Sequence, residues 1–141
     1  MKTFKLVSFE TLEKSGDDLV NKEIEFYDAL IIDREIDHDR WLIESYIPMK
    51  YYEYFKDKLE GKQELVIQVR ITKESNPKAT ILADIKGVNE IEENMNVILT
   101  GDMVNRGREQ VERILQNLIE AGYQGASLLE KFKEKNQESL F

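Results

Sequence analysis

The apolar residues of this chain keep two different periods. Up to about residue 103 they recur at alternate positions, and from Asn105 onward they recur every three to four. Alternation suits a strand with one buried face, and a stripe of period 3.6 suits a helix, so the chain divides into a β part and a helical part. The alternation is clearest in ELVIQVRIT. There Leu65, Ile67, Val69 and Ile71 share one face, with Val66, Gln68, Arg70 and Thr72 opposite. TFKLVSFE sets Phe4 and Leu6 against Lys5, and RWLIESYI sets Trp41, Ile43 and Ile47 against Leu42, Glu44 and Tyr46. EIEFYDALIID reads as one long strand with Ile24, Phe26, Leu30 and Ile32 on one face and a bulge or bend at Asp28. TILADIK and NVILTGDM complete the series, and SGDD and SNPKA are turns.

Strands at this spacing predict a barrel or sandwich, and a barrel also removes sheet edges that a small protein would have to protect. One segment, PMKYYEYFKDKLEG, breaks the pattern. Pro48 suits a first helical turn, Gly61 suits the position just past a helix end, and Tyr51, Tyr52, Phe55 and Leu59 share a face at helical spacing. It predicts a short helix near residues 48–60 that closes one mouth of the barrel. Beyond residue 104, Val111, Ile114, Leu115, Leu118 and Ile119 form an apolar stripe, with Asn105 as candidate cap. AGYQGAS breaks that helix at Gly122, and Leu128, Leu129 and Phe132 mark a second one. So short a connection makes the two helices antiparallel. The expected fold is therefore mainly β (α+β). It has an antiparallel β-barrel core of six or more strands in residues 1–103 and a two-helix appendage in residues 104–141. The terminal Leu140 and Phe141 either fray or dock.

Composition removes several functions. The 141 residues contain no cysteine, which excludes disulfides, thiolate catalysis and thiolate metal sites. The net charge of −8 lies entirely in residues 1–102, so the barrel repels phosphate backbones and anionic lipid; nucleic acid and membranes are disfavoured partners. MKTFKLVSFE has no apolar run of signal-peptide length, and no stretch approaches the roughly 20 apolar residues that span a bilayer. The expected compartment is the cytoplasm.

The stretch DREIDHDRWLIE, Asp33–Glu44, has acidic residues at its first, third, fifth, seventh and twelfth positions, as a calcium loop does. Such a loop needs a flexible sixth residue, an apolar eighth and flanking helices. Here those positions hold His38 and Arg40, and both flanks alternate like strands. A hairpin with a solvated acidic turn is the better reading, with at most weak divalent binding by Asp37 and Asp39. His38 is the sole histidine, the serines lack a nucleophile-elbow context and no phosphate loop is present. No catalytic residue, cofactor or metal ligand is therefore expected. YYEYF, Tyr51–Phe55, resembles a base-stacking platform, and with nearby lysines and a small barrel it supplies an alternative, single-stranded nucleic-acid binding. Aromatic residues at helical spacing more often face a core. The helix pair is the remaining candidate. If Ile114, Leu118, Leu128 and Phe132 are exposed they form an interaction surface; if buried they form a structural cap.

MKTFKLVSFE, DALIIDREIDHDRWLIESYI and GDMVNRGREQVERIL, with their order along the chain, resemble the YwpF-like family over nearly the full length. These are small proteins of Gram-positive bacteria with no assigned biochemical activity. The resemblance implies a β-barrel core with a C-terminal helix pair, the barrel being similar to ring-forming tube proteins of type VI secretion systems. It supplies no catalytic residues. The expected function is non-catalytic, binding an unidentified protein or a second copy of the chain through the barrel rim or the helix pair.

Overall fold

The computed structural model describes residues 1–138, with side chains through Asn136; Leu140 and Phe141 lie outside that range. Seven strands are present: β1 (Lys2–Ser15), β2 (Asp18–Glu23), β3 (Asp28–Asp33), β4 (Trp41–Pro48), β5 (Glu64–Ile71), β6 (Ala79–Ile91) and β7 (Asn94–Met103). A 3-10 turn at Met49–Tyr51 leads into α1 (Tyr52–Glu60), and α2 (Arg108–Glu120) and α3 (Gly125–Glu138) follow the last strand. The sheet runs β2-β1-β3-β4-β7-β6-β5, and β1 pairs again with β5. Six strands thus close into an antiparallel barrel, as the period-two segments predict, with β2 as an extra strand beside β1.

The length of β1 makes closure possible. One edge pairs with β3 through Lys2–Lys5 and then with β2 through Glu10–Ser15, while the other pairs with β5. A register shift between Leu6 and Ser8 turns the strand, so that Leu6 and then Phe9 face the interior. Among the described residues β2 has no strand partner besides β1. Its free edge is met by α2: the Gln116 side chain accepts from the Leu19 N–H at 3.0 Å and donates to the Asp17 carbonyl at 3.1 Å.

The interior holds Phe9, Ile31, Ile43, Ile47, Ile67, Ile81, Met95 and Leu99, each essentially inaccessible, and α1 plugs one mouth with Tyr51 and Phe55. A second core lies outside the barrel wall. There Leu12 and Val66, on the outward phase of β1 and β5, meet Val111, Leu115, Leu118 and Ile119 of α2 and Leu128 and Phe132 of α3. The helix pair ends α2 in a Schellman arrangement: the Gly122 N–H bonds the Ile119 carbonyl at 3.0 Å, and the Tyr123 N–H bonds that of Leu118 at 3.1 Å. Gly122 takes φ +99°, which L side chains rarely adopt.

Two sequence expectations need correction. Asn105 does not cap α2; Gly107 does, in extended conformation, because the Val104 N–H still bonds the Thr80 carbonyl and holds the preceding chain on the barrel. EIEFYDALIID is not one strand. The chain leaves β2 after Glu23 and crosses to β3 at Asp28, with Ile24 buried on the way. The crossing shifts the phase by one residue. Ala29 and Ile31 point inward, and Leu30 and Ile32 point outward.

Two variants probe this architecture. A β-carbon on Gly101 would sit against the Leu82 carbonyl and within 2.9 Å of the Ala83 α-carbon. Because backbone cannot yield like a flexible side chain, Gly101→Ala is expected to cost about 3 kcal/mol or more. Leu118→Ala leaves a cavity in the second core and is expected to cost roughly 2–5 kcal/mol. Chemical denaturation of both variants checks these values; a Gly101→Ala protein as stable as the parent would contradict the close strand approach.

Candidate interaction surface

The acidic stretch forms the β3–β4 hairpin. Asp33 is buried and bound in bidentate fashion by Arg40, Nε to Oδ1 at 2.7 Å and Nη2 to Oδ2 at 2.9 Å. Asp33 Oδ1 also accepts the Glu35 N–H at 3.0 Å. The Arg40 guanidinium holds the Asp33 carboxyl at about 2, well below the usual carboxylate range. Arg34 reaches back to the Asp39 carbonyl, and Glu35 and Asp39 take φ +55° and +52° to turn the chain. The first carboxylate of the calcium-like spacing is thus occupied by an arginine. Glu44 points outward along β4, and Asp37 and His38 are exposed at the tip. Among the described residues, no group of three or more His, Asp or Glu side chains is arranged to hold a metal ion.

The aromatic segment faces the protein. Tyr51 and Phe55 lie in the barrel core, and Tyr51 Oη accepts the Glu25 N–H at 3.0 Å. Tyr54 is partly buried, its hydroxyl bonded to Glu13 and Thr11 and its ring 3.9 Å from Lys22 Nζ. Burial, and then the Glu13 carboxylate, push the Tyr54 phenol above its ordinary value. Tyr52 is partly buried and packs against the barrel core as well, so YYEYF does not present a row of rings.

The helix stripe is also turned inward. Leu118, Leu128 and Phe132 are 6%, 7% and 0% exposed in the second core, and Ile114 is partly buried against it. These are the contacts of a structural cap. The expected interaction surface at Ile114, Leu118, Leu128 and Phe132 is therefore corrected: helix-to-barrel packing already uses those side chains. An open groove of about 490 Å³ lies between the β5–β6 connection and the start of α2, lined by Arg70, Lys78, Arg108 and Glu109 among others. Its charges are mixed, Lys78 is paired with Glu10, and Arg70 Nε donates to the Asn76 carbonyl at 3.2 Å. It offers no unpaired buried group to a ligand.

The barrel wall facing away from the helices is different. Leu30 and Ile32 of β3, Leu42 of β4 and Ile98 of β7 take the outward phase of three adjacent strands. Each is partly exposed, and none belongs to either core. Leu30 stands opposite Glu44, which stands opposite Ile98; on the other side Leu30 pairs with Lys5. Two residues along each strand, Ile32, Leu42 and Thr100 form the next row on this face, followed by Asp84. Thr100 is 4% exposed and its hydroxyl has no hydrogen-bond partner among the described residues. Burial, and next the Glu64 carboxylate across the strand pair, raise the Asp84 carboxyl above its ordinary value.

A strand drawn straight through Asp28 keeps Leu30 and Ile32 on one face with Ile24 and so hides this surface, but the sequence carries another signal. ALII, WLI and VIL are apolar on both phases, which a strand with one wet face does not need. The same holds of LVI in β5 and TIL in β6, whose outward Val66 and Leu82 lie beneath the helix pair. On β3, β4 and β7 no element of the described chain performs that covering.

The Asp33–Arg40 tie has a measurable pH signature. A depressed carboxyl contributes stability that is present above its unfolded value near 3.9 and is lost as pH falls through about 2. Carbon-detected NMR titration of Asp33 is expected to show a midpoint near 2, moving toward the ordinary carboxylate range in Arg40→Ala. An unmoved midpoint in that variant would show that Arg40 is not the cause.

Comparison with known proteins points the same way as the barrel and helix pair. Residues 2–135 match the family model described as YwpF-like protein. The uncharacterized protein YwpF of Bacillus subtilis (strain 168) is 35% identical over 135 residues, covering 96% of this chain and 99% of that protein. A crystal structure of a hypothetical protein from Staphylococcus aureus superposes with a TM-score of 0.69 at 29% identity, covering 99% of this chain and 95% of the other. With a family match along almost its whole length and a relative of 35% identity over 96% of it, the chain belongs to the YwpF-like family.

Proposed function

We propose that the protein is a non-catalytic binding module that docks a protein partner on the outer face of β3, β4 and β7. The carrying observation is that Leu30, Ile32, Leu42 and Ile98 pack against neither core, although equivalent outward residues on β5 and β6 are covered by α2 and α3. Apolar side chains gathered on one face, with polar residues at the margin, are a common mark of a contact surface. The chemistry available supports the non-catalytic reading. The chain has no cysteine, its one histidine is exposed at a hairpin tip, and its acidic hairpin carboxylate is bound by Arg40. The family resemblance also implies a barrel like that of type VI secretion tube proteins; such a likeness would be compatible with barrel-to-barrel contact, but fold analogy by itself carries no activity. No helix of the described residues is long and apolar enough to cross a membrane.

The reading is tested by placing a photo-crosslinking amino acid at Leu42, on the face, and at Val20, an exposed apolar position on β2 away from it. Irradiation in cells is expected to give a discrete protein adduct from position 42 and none of that mass from position 20. No adduct from position 42, or the same adducts from both positions, would overturn the proposal.

A further inference from the structure

We infer that the occupant of the β3–β4–β7 face is a second copy of this chain, set β3 against β3 about a two-fold axis; this rests on the preceding reading of that face. The inference comes from the order of side chains across the strands. Lys5, Leu30 and Glu44 stand in one row, a cation, an apolar residue and an anion on three adjacent strands. Strands lie about 4.8 Å apart, so Lys5 and Glu44 are separated by roughly 10 Å within one chain, with Leu30 between them. Among the described residues Lys5 makes no ion pair, and Glu44 accepts only from the Asn96 amide at 3.2 Å.

Such a row is complementary to itself. A two-fold interface brings the same patch of both copies together, so residue i meets j and j meets i. With the axis lying in the interface along β3, Leu30 meets Leu30 and Ile32 meets Ile32. Lys5 of each copy then meets Glu44 of the other, which gives two ion pairs flanking an apolar centre. An axis along β4 would set Glu44 against Glu44, and like charges there disfavour it. In the chosen arrangement Leu42 falls opposite Thr3, since both flank Ile32. The contact is a strip of about three strands on a curved wall, small among stable interfaces, so association is weak and concentration-dependent.

Charge reversal provides the test, because Lys5 and Glu44 are both exposed and neither supports a core. Sedimentation equilibrium of the full chain at low ionic strength and rising concentration is expected to show a monomer–dimer equilibrium. Lys5→Glu alone, and Glu44→Lys alone, should each raise the dimer dissociation constant about tenfold or more, since each sets like charges across the axis. The double variant should return it to within about threefold of the parent, the coupling that a direct pair requires. Unchanged melting temperatures confirm that the variants remain folded. A parent that stays monomeric, single reversals without effect, or a double variant as weak as the singles would each overturn the inference. If the Leu42 crosslink captures a different protein while the chain sediments as a monomer, the docking face stands and the second copy falls. If Leu42 captures nothing, the docking face itself falls.

Discussion

Closure of the sheet through β1 and β5 is the contact on which the other features depend. An open sheet of these strands would expose unpaired backbone on both flanks, and its apolar inner face would need a separate layer to cover it. Closing the sheet makes that face its own core. It also requires one strand long enough to serve three partners. β1 does this by turning at the register shift between Leu6 and Ser8, so that its first residues pair with β3 and its last with β2. The remaining hazards are local. Gln116 satisfies part of the β2 edge, and Tyr51 and Phe55 fill the mouth left open by the small barrel.

Once the barrel is closed, its outward phase becomes an outer wall that other elements either cover or leave open. Nature of the cover differs around the wall. Over β1 and β5 the outward Leu12 and Val66 carry the helix pair, and the amphipathic stripe of α2 is consumed in doing so. Arg106 fastens the arrangement by donating to the Asn136 side chain at 2.6 Å and to the Asn136 carbonyl at 2.9 Å, where the end of α3 presents free acceptors. On β3, β4 and β7 the outward Leu30, Ile32, Leu42 and Ile98 stand among Lys5, Glu44 and Thr100, and no element of the described chain covers them. The helix pair is thus a lid on one wall, and the opposite wall is the one on which we propose that a partner docks.

Much of the architecture was legible in the residues. The alternations in β4 and β5 place Ile43, Ile47, Leu65, Ile67 and Val69 inside, where they are found. The break at Gly122 and the stripe from Val111 to Ile119 also read correctly, because helices are local and their stripes survive any tertiary setting. The site was much less legible. Its residues Leu30 and Ile32 read as core, since a strand drawn straight through Asp28 keeps them in phase with Ile24.

By itself, the sequence determined the two periods, hence strands before residue 104, interrupted by one short helix, and helices after it. It also determined the absence of thiol chemistry and the acidity of the barrel. Those properties depend on residue type and short-range spacing alone. Only the tertiary structure decided which face of each strand is inside. A period of two says that a strand has two faces and not which of them is buried, and one added or omitted residue at a bend exchanges them. The crossing from Glu23 to Asp28 and the shift at Leu6–Ser8 are set by pairing with distant strands, and so is the outward turn of Leu30 and Ile32. The same long-range pairing brings Lys5 and Glu44 into one row, 39 positions apart in the chain and two strands apart on the barrel wall.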